Sequence, residues 1–282
     1  MQPERRGVAF ACGGDWLYGV LDVPQAPSRR GVLFVVGGPQ YRVGSHRQFS
    51  LLARSLAGEG VAAMRFDYRG MGDSEGALRD FENVGEDLRA ALDAFFAEVP
   101  HLQEVVLWGL CDAASAASMY AAQDARVAGL VLLNPWVRTE AGAARATLRH
   151  YYRARLSDPA LWKKIFSGRF DAGGALRSFG RLLGNVRAAP AKLALHDRQG
   201  ALPDRMHDAL ARFGGKTLVV LSGADLTAQE FAGVAAGSPK WRTLMAAPGI
   251  SCKTLPKADH TFSRAQWMEQ VTHWTIDWVR AW

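Results

Sequence analysis

Two rhythms alternate along this chain: short continuous apolar runs, and longer stretches in which apolar residues return at helical spacing. The runs Gly31–Val36 (GVLFVV), Val61–Phe66, Val105–Trp108, Val127–Leu133, Thr217–Leu221 and Ile250–Leu255 predict strands buried on both faces. Between them, Phe49, Leu51, Leu52 and Leu56 predict a helix over 46–58, stopped by Gly58 and Gly60. Val84, Leu88, Leu92, Phe95 and Phe96 predict a second over 81–98. Further helices are expected from the turn after Trp108 to about Gln123, over 227–236, and from Arg264 to the end. Trp267, Trp274, Trp278 and Trp282 of the last one should pack it onto the sheet. Residues 7–23 read as a β-hairpin turning at Gly13-Gly14-Asp15, which brings the strands to eight. The pattern predicts an α/β fold with a mainly parallel eight-stranded sheet, helices on both faces, and a site at the carboxyl ends of the strands.

Asn134-Pro135-Trp136 interrupts the alternation, and short helical stretches follow at 143–156, 159–166, 175–183 and 204–213. The expected division is a core of residues 1–135 and 214–282 with a helical lid inserted at 136–213. Its aromatics Tyr151, Tyr152, Trp162, Phe166, Phe170 and Phe179 are candidates for packing or for lining a pocket. Charge sharpens this division. The net charge is +7, yet Arg138–Lys216 alone holds 16 Lys and Arg against 6 Asp and Glu, an excess of +10 that leaves −3 elsewhere. This basic lid has three readings: solvated helix surface, attraction of an anionic acyl substrate, or docking on anionic lipid beside an export machinery. No nucleic-acid-binding module accompanies it, so no nucleic-acid partner is expected. Neither a signal-peptide pattern nor a run of ~18 apolar residues is present, and a cytoplasmic location is expected. Cys12, Cys111 and Cys252 are odd in number and widely spaced, which argues against disulfides or a zinc site. No metal or cofactor is expected.

The chemistry centres on Glu104–Ser118. The strand breaks at Gly109, and Gly109-Leu110-Cys111-Asp112-Ala113 fits the G-x-S-x-G nucleophile elbow with cysteine for serine and alanine for the last glycine. Cys111 would then be the nucleophile. A thiolate is the attacking species, and a helix N-terminus and a nearby imidazolium both favour it. His260, just after the last strand, is the candidate base, and Asp225, just after Thr217–Leu221, the acid that orients it, with Asp259 as competitor. An oxyanion needs donors: the Asp112 amide is one, and Gln40 or Gly38 of the loop Gly37–Gln40 the other, because Pro39 has no N–H. Tyr41, Arg42 and Arg47, close behind that loop, are candidates for substrate contact.

With FDYRGMGDSEG after the fourth strand, this arrangement resembles the α/β-hydrolase superfamily over nearly the whole chain. More narrowly, GGPQYRVGSHRQF (Gly37–Phe49), WGLCDAAS (Trp108–Ser115) and SGADLTAQEF (Ser222–Phe231) resemble the exosortase A system-associated hydrolase, type 1. The resemblance implies the α/β-hydrolase fold and a Cys-His-Asp hydrolase linked to bacterial exopolysaccharide production and protein sorting. The expected activity is that of an esterase or thioesterase working through an acyl-Cys111 intermediate on a small acyl substrate. An acyltransferase using the same site, or an idle hydrolase fold kept as a scaffold, are the alternatives.

Overall fold

Eight strands form one sheet in the computed structural model, which describes residues 3–38, 40–137 and 200–282. They are β1 (Glu4–Cys12), β2 (Asp15–Val23), β3 (Arg30–Val35), β4 (Ala63–Phe66), β5 (Glu104–Leu110), β6 (Val127–Leu133), β7 (Lys216–Ser222) and β8 (Ile250–Leu255). Across the sheet their order is β1-β2-β4-β3-β5-β6-β7-β8. β2 runs antiparallel to both β1 and β4, and every other neighbouring pair is parallel. The described helices are α1 (Gln48–Gly58), α2 (Gly85–Glu98), α3 (Asp112–Tyr120), α4 (Leu202–Arg212), α5 (Leu226–Gly237), α6 (Pro239–Met245) and α7 (Ala265–Arg280).

Successive strand residues point to opposite faces, so an unbroken apolar run is what a strand covered on both sides requires. In β3, Leu33 and Val35 face α2 through Leu88, Leu92 and Phe95, together with Met206 of α4. Val32 and Phe34 face Phe49 and Leu56 of α1 and Val271 and Val279 of α7. Trp267, Trp274, Trp278 and Trp282 pack against this second cluster, as their spacing predicts.

Several boundaries shift for local reasons. α1 begins two residues later than its periodicity suggests, because His46 and Arg47 adopt left-handed backbone angles, φ 54° and 61°. α2 begins at Gly85, since the Asp80 carboxylate folds 80–83 into a turn by accepting from the Glu82 N–H and the Asn83 amide. α4 corresponds to the last helix assigned to the insertion, yet it packs on α3 and buries Met206 in the main core. The remaining helices expected at 143–156, 159–166 and 175–183, with their six aromatics, lie outside the described residues.

The FDYRGMGDSEG segment after β4 serves as a buried clamp. Arg69 donates to Asp87 of α2 from Nε at 3.1 Å and Nη2 at 2.9 Å, and its backbone N–H donates to the same carboxylate at 2.8 Å. Both side chains are buried. Breaking such a pair strands a charge in the interior, so Arg69→Met is expected to cost about 3–5 kcal/mol in urea unfolding. Arg280→Ala, which breaks an exposed pair with Glu59, should cost under about 1 kcal/mol.

Candidate active site

β5 delivers Cys111 at its carboxyl end, and the backbone there turns sharply into α3, with Cys111 at φ 62°. A non-glycine residue in that region is strained, and it persists because its surroundings over-determine it. The Cys111 N–H donates to the Leu133 carbonyl at 2.9 Å, and its carbonyl accepts from Ala114 at 3.0 Å and Trp136 at 3.2 Å. A Cβ at Gly109 would meet the backbone of Ala113 and Ala114 at 2.7 Å, which explains the first elbow glycine. Alanine is tolerated at the last elbow position because Gly37 faces it: a Cβ on Gly37 would come within 2.9 Å of Ala113 Cβ.

Asp225 caps α5, its Oδ2 accepting from Ala228 N–H at 3.0 Å, and the same oxygen lies 2.9 Å from His260 Nδ1. The competitor Asp259 turns away and accepts from the Ser263 N–H at 2.9 Å and from the Ser263 hydroxyl. The bond to Asp225, and next the neighbouring Cys111 sulfur, push His260 up to about 10 from its ordinary 6.5. Between those two values the folded chain binds more protons than the unfolded one. The stability this contact contributes is therefore complete below about pH 6.5 and is lost as pH rises towards about 10. Urea unfolding at the two ends of that window should show the loss in the parent chain and a smaller one in His260→Gln.

Asp112, the first residue of α3, reaches back over the loop that follows β3. Its Oδ2 accepts from Gly38 N–H at 2.8 Å and its Oδ1 from Ala113 N–H at 3.0 Å. Burial raises this carboxyl above its usual range, opposed by those N–H groups and by His260. A Cβ on Gly37 would lie 2.1 Å from Asp112 Oδ1, so glycine is required for this approach. Of the two loop donors considered, Gly38 presents its N–H to the elbow. The Gln40 amide folds back to the Gly37 carbonyl at 3.4 Å, and its side chain donates to Ser45.

The structure thus gathers Cys111, His260, Asp225, Asp112 and Gly38. The residues behind the loop are placed differently. Arg42 donates from its backbone to Asp67 at 2.6 Å, and its guanidinium pairs with Asp67 and Asp73. It lines an open groove of about 570 Å³ beside β1 and β2 that includes none of Cys111, Asp225 or His260. Tyr41 and Arg47 are exposed.

The sequence reading missed Asn134. It sits at the end of β6 with φ 44° and is wholly buried. Its side chain accepts from Ser222 N–H at 2.8 Å and donates to Ser222 Oγ at 2.9 Å and to the His260 carbonyl at 3.0 Å. The Ser222 hydroxyl in turn donates to the Asp259 carbonyl at 2.8 Å. Asparagine tolerates a left-handed backbone better than most residues, and Asn-Pro at a strand end was the available signal. Asn134→Ala should cost about 1–3 kcal/mol by leaving buried groups unpaired. Any turnover should fall through kcat rather than KM, as the His260 loop loosens.

Among the described residues, no group of three or more His, Cys, Asp or Glu is placed to hold a metal ion. No helix among them is long and apolar enough to cross a membrane. A family model described as "Alpha/beta hydrolase family" matches residues 32–272. No curated protein matches the chain. Among solved structures, the Pyrococcus furiosus esterase Pf2001 is similar at TM-score 0.66 and 15% identity, covering 99% of this chain and 93% of that one. A dienelactone hydrolase from Anabaena variabilis is similar at TM-score 0.64 and 16% identity, covering 100% and 99%. A putative hydrolase from Agrobacterium vitis gives 0.60 and 17%, covering 99% and 100%. At these identities the likeness is one of fold.

Proposed function

The chain belongs to the alpha/beta hydrolase family, and from that premise we propose that it is a cysteine-dependent acyl hydrolase acting on an ester or thioester through an acyl-Cys111 intermediate. The observation that carries this reading is the His260 ring, which meets Asp225 Oδ2 at 2.9 Å through Nδ1 and owes part of its raised basicity to the nearby Cys111. A histidine that keeps its proton well above neutrality sets a fixed positive charge against the Cys111 sulfur.

The steps follow from that placement. Cys111 Sγ attacks the acyl carbon, a C–S bond forms, and the carbonyl π electrons move to oxygen, facing the Asp112 and Gly38 amides. The intermediate collapses, the bond to the leaving alcohol or thiol breaks, and His260 supplies that group's proton. Water, deprotonated by His260, then attacks the thioester, and Sγ departs. An amine or alcohol in place of water gives acyl transfer by the same steps. Asp225 keeps Nδ1 occupied and leaves Nε2 for the proton traffic. Exposed Tyr41 and Arg47 are the loop residues open to substrate, whereas the Arg42 charge is spent on Asp67 and Asp73. The resemblance of 37–49, 108–115 and 222–231 to exosortase-associated hydrolases supports a link to bacterial exopolysaccharide and exosortase systems.

Iodoacetamide labelling read by peptide mapping tests the site. Cys111 should alkylate much faster than exposed Cys252 at neutral pH, and the excess should fall in His260→Gln. A Cys111 that behaves like Cys252 would favour an idle scaffold.

A further inference from the structure

Of the two amides placed to receive an oxyanion, that of Gly38 is already filled by an anion belonging to the chain. Asp112 Oδ2 takes the Gly38 N–H at 2.8 Å. Oδ1 takes the Ala113 N–H at 3.0 Å, so the carboxylate spans the loop and the first turn of α3. A resting carboxylate copies the charge and the acceptor geometry that a tetrahedral intermediate would present, and preorganised donors cannot serve both at once. The contact is built rather than incidental, since any side chain at position 37 would collide with Oδ1.

Resting on the acyl-Cys111 reading, we infer that the Asp112 side chain is an internal competitor for the oxyanion hole, which a substrate carbonyl must displace before Cys111 can be acylated. The residue then has two opposed parts: its amide assists the reaction and its carboxylate holds the site closed. Displacement needs only rotation about the side-chain bonds of Asp112. Its partner amides stay in place, held by the elbow and by β3. Substrates that bind tightly enough to evict the carboxylate are processed, and weakly held esters are not, which makes Asp112 a determinant of specificity.

Two substitutions separate charge from occupancy while leaving the amide intact. Asp112→Asn keeps a neutral acceptor in the same place, and Asp112→Ala empties it. Acylation by p-nitrophenyl acetate is followed by intact mass, alkylation by iodoacetamide is measured in parallel, and thermal melting confirms that each variant is folded. Iodoacetamide reacts by displacement at saturated carbon and needs no oxyanion hole. The expected result is faster acylation in the order Ala, Asn, parent, by roughly tenfold or more for Ala, with alkylation changed little. Acylation that slows in both variants would overturn the inference, because the carboxylate would then assist. Parallel changes in acylation and alkylation would also overturn it, by placing the effect on the thiol. Absence of any Cys111 adduct in parent and variants, with alkylation intact, would instead remove the acyl-Cys111 reading and this inference with it. An Asp112→Ala chain that fails to fold leaves the Asn comparison to decide: equal acylation in Asn and parent would refute the competitor.

Discussion

Cys111→Ala should form no acyl-enzyme and lose turnover by at least about 10³-fold, with unfolding free energy changed by less than about 1 kcal/mol. The two effects separate because they rest on different atoms. The strained elbow, φ 62° at Cys111, is held by backbone bonds to Leu133, Ala114 and Trp136, and alanine keeps both the backbone and the Cβ. Only Sγ is lost, and with it the attacking atom. Cys111→Ser is also expected to be poor. A hydroxyl needs a base to take its proton, whereas the bond to Asp225, the largest cause of His260's raised value, survives in that variant and favours a ring already protonated. Turnover and urea unfolding on parent, Ala and Ser chains check all three statements.

Asp225→Ala should lower kcat/KM by about 10²- to 10⁴-fold, cost about 1 kcal/mol through the lost cap, and lose in addition the pH-dependent stability of the contact with His260. One oxygen does both jobs: Oδ2 accepts from Ala228 N–H at 3.0 Å as the cap of α5 and lies 2.9 Å from His260 Nδ1. Asp225→Asn separates them. Its amide oxygen can still cap the helix, so the capping share of the stability should return, but a neutral partner no longer favours the imidazolium, so activity and the pH-dependent share of the stability should not. Restored kcat/KM in the Asn variant would show that Asp225 acts through the helix alone. The pH window of stability should shrink in both variants, because the bond to Asp225 is the largest cause of His260's raised value.

Much of this was legible because it is written in local pattern. β6 and β8 have the bounds their apolar runs predict, and Cys111, Asp225 and His260 follow strands whose ends the sequence marks. What was illegible depends on contacts between distant segments. α6 has only seven residues, too few for periodicity to register, and is anchored by Trp241 buried in the core. α4 looks like part of the insertion by order, yet Met206 commits it to the core. The Asp112 amide was predictable from its place after the nucleophile. Its carboxylate reaching Gly38, 74 residues away, was not, and neither was the Asn134 link to the His260 carbonyl.

Acylation of Cys111 is tested most directly by intact-mass analysis of the parent chain incubated with a panel of p-nitrophenyl esters and acyl-thioesters, quenched in acid and followed by peptide mapping. A single acyl adduct on Cys111 is expected, absent from Cys111→Ala and discharged with time by water or an added acceptor. Turnover without an adduct at Cys111, or no adduct and no turnover across the panel, would contradict an acyl-Cys111 intermediate.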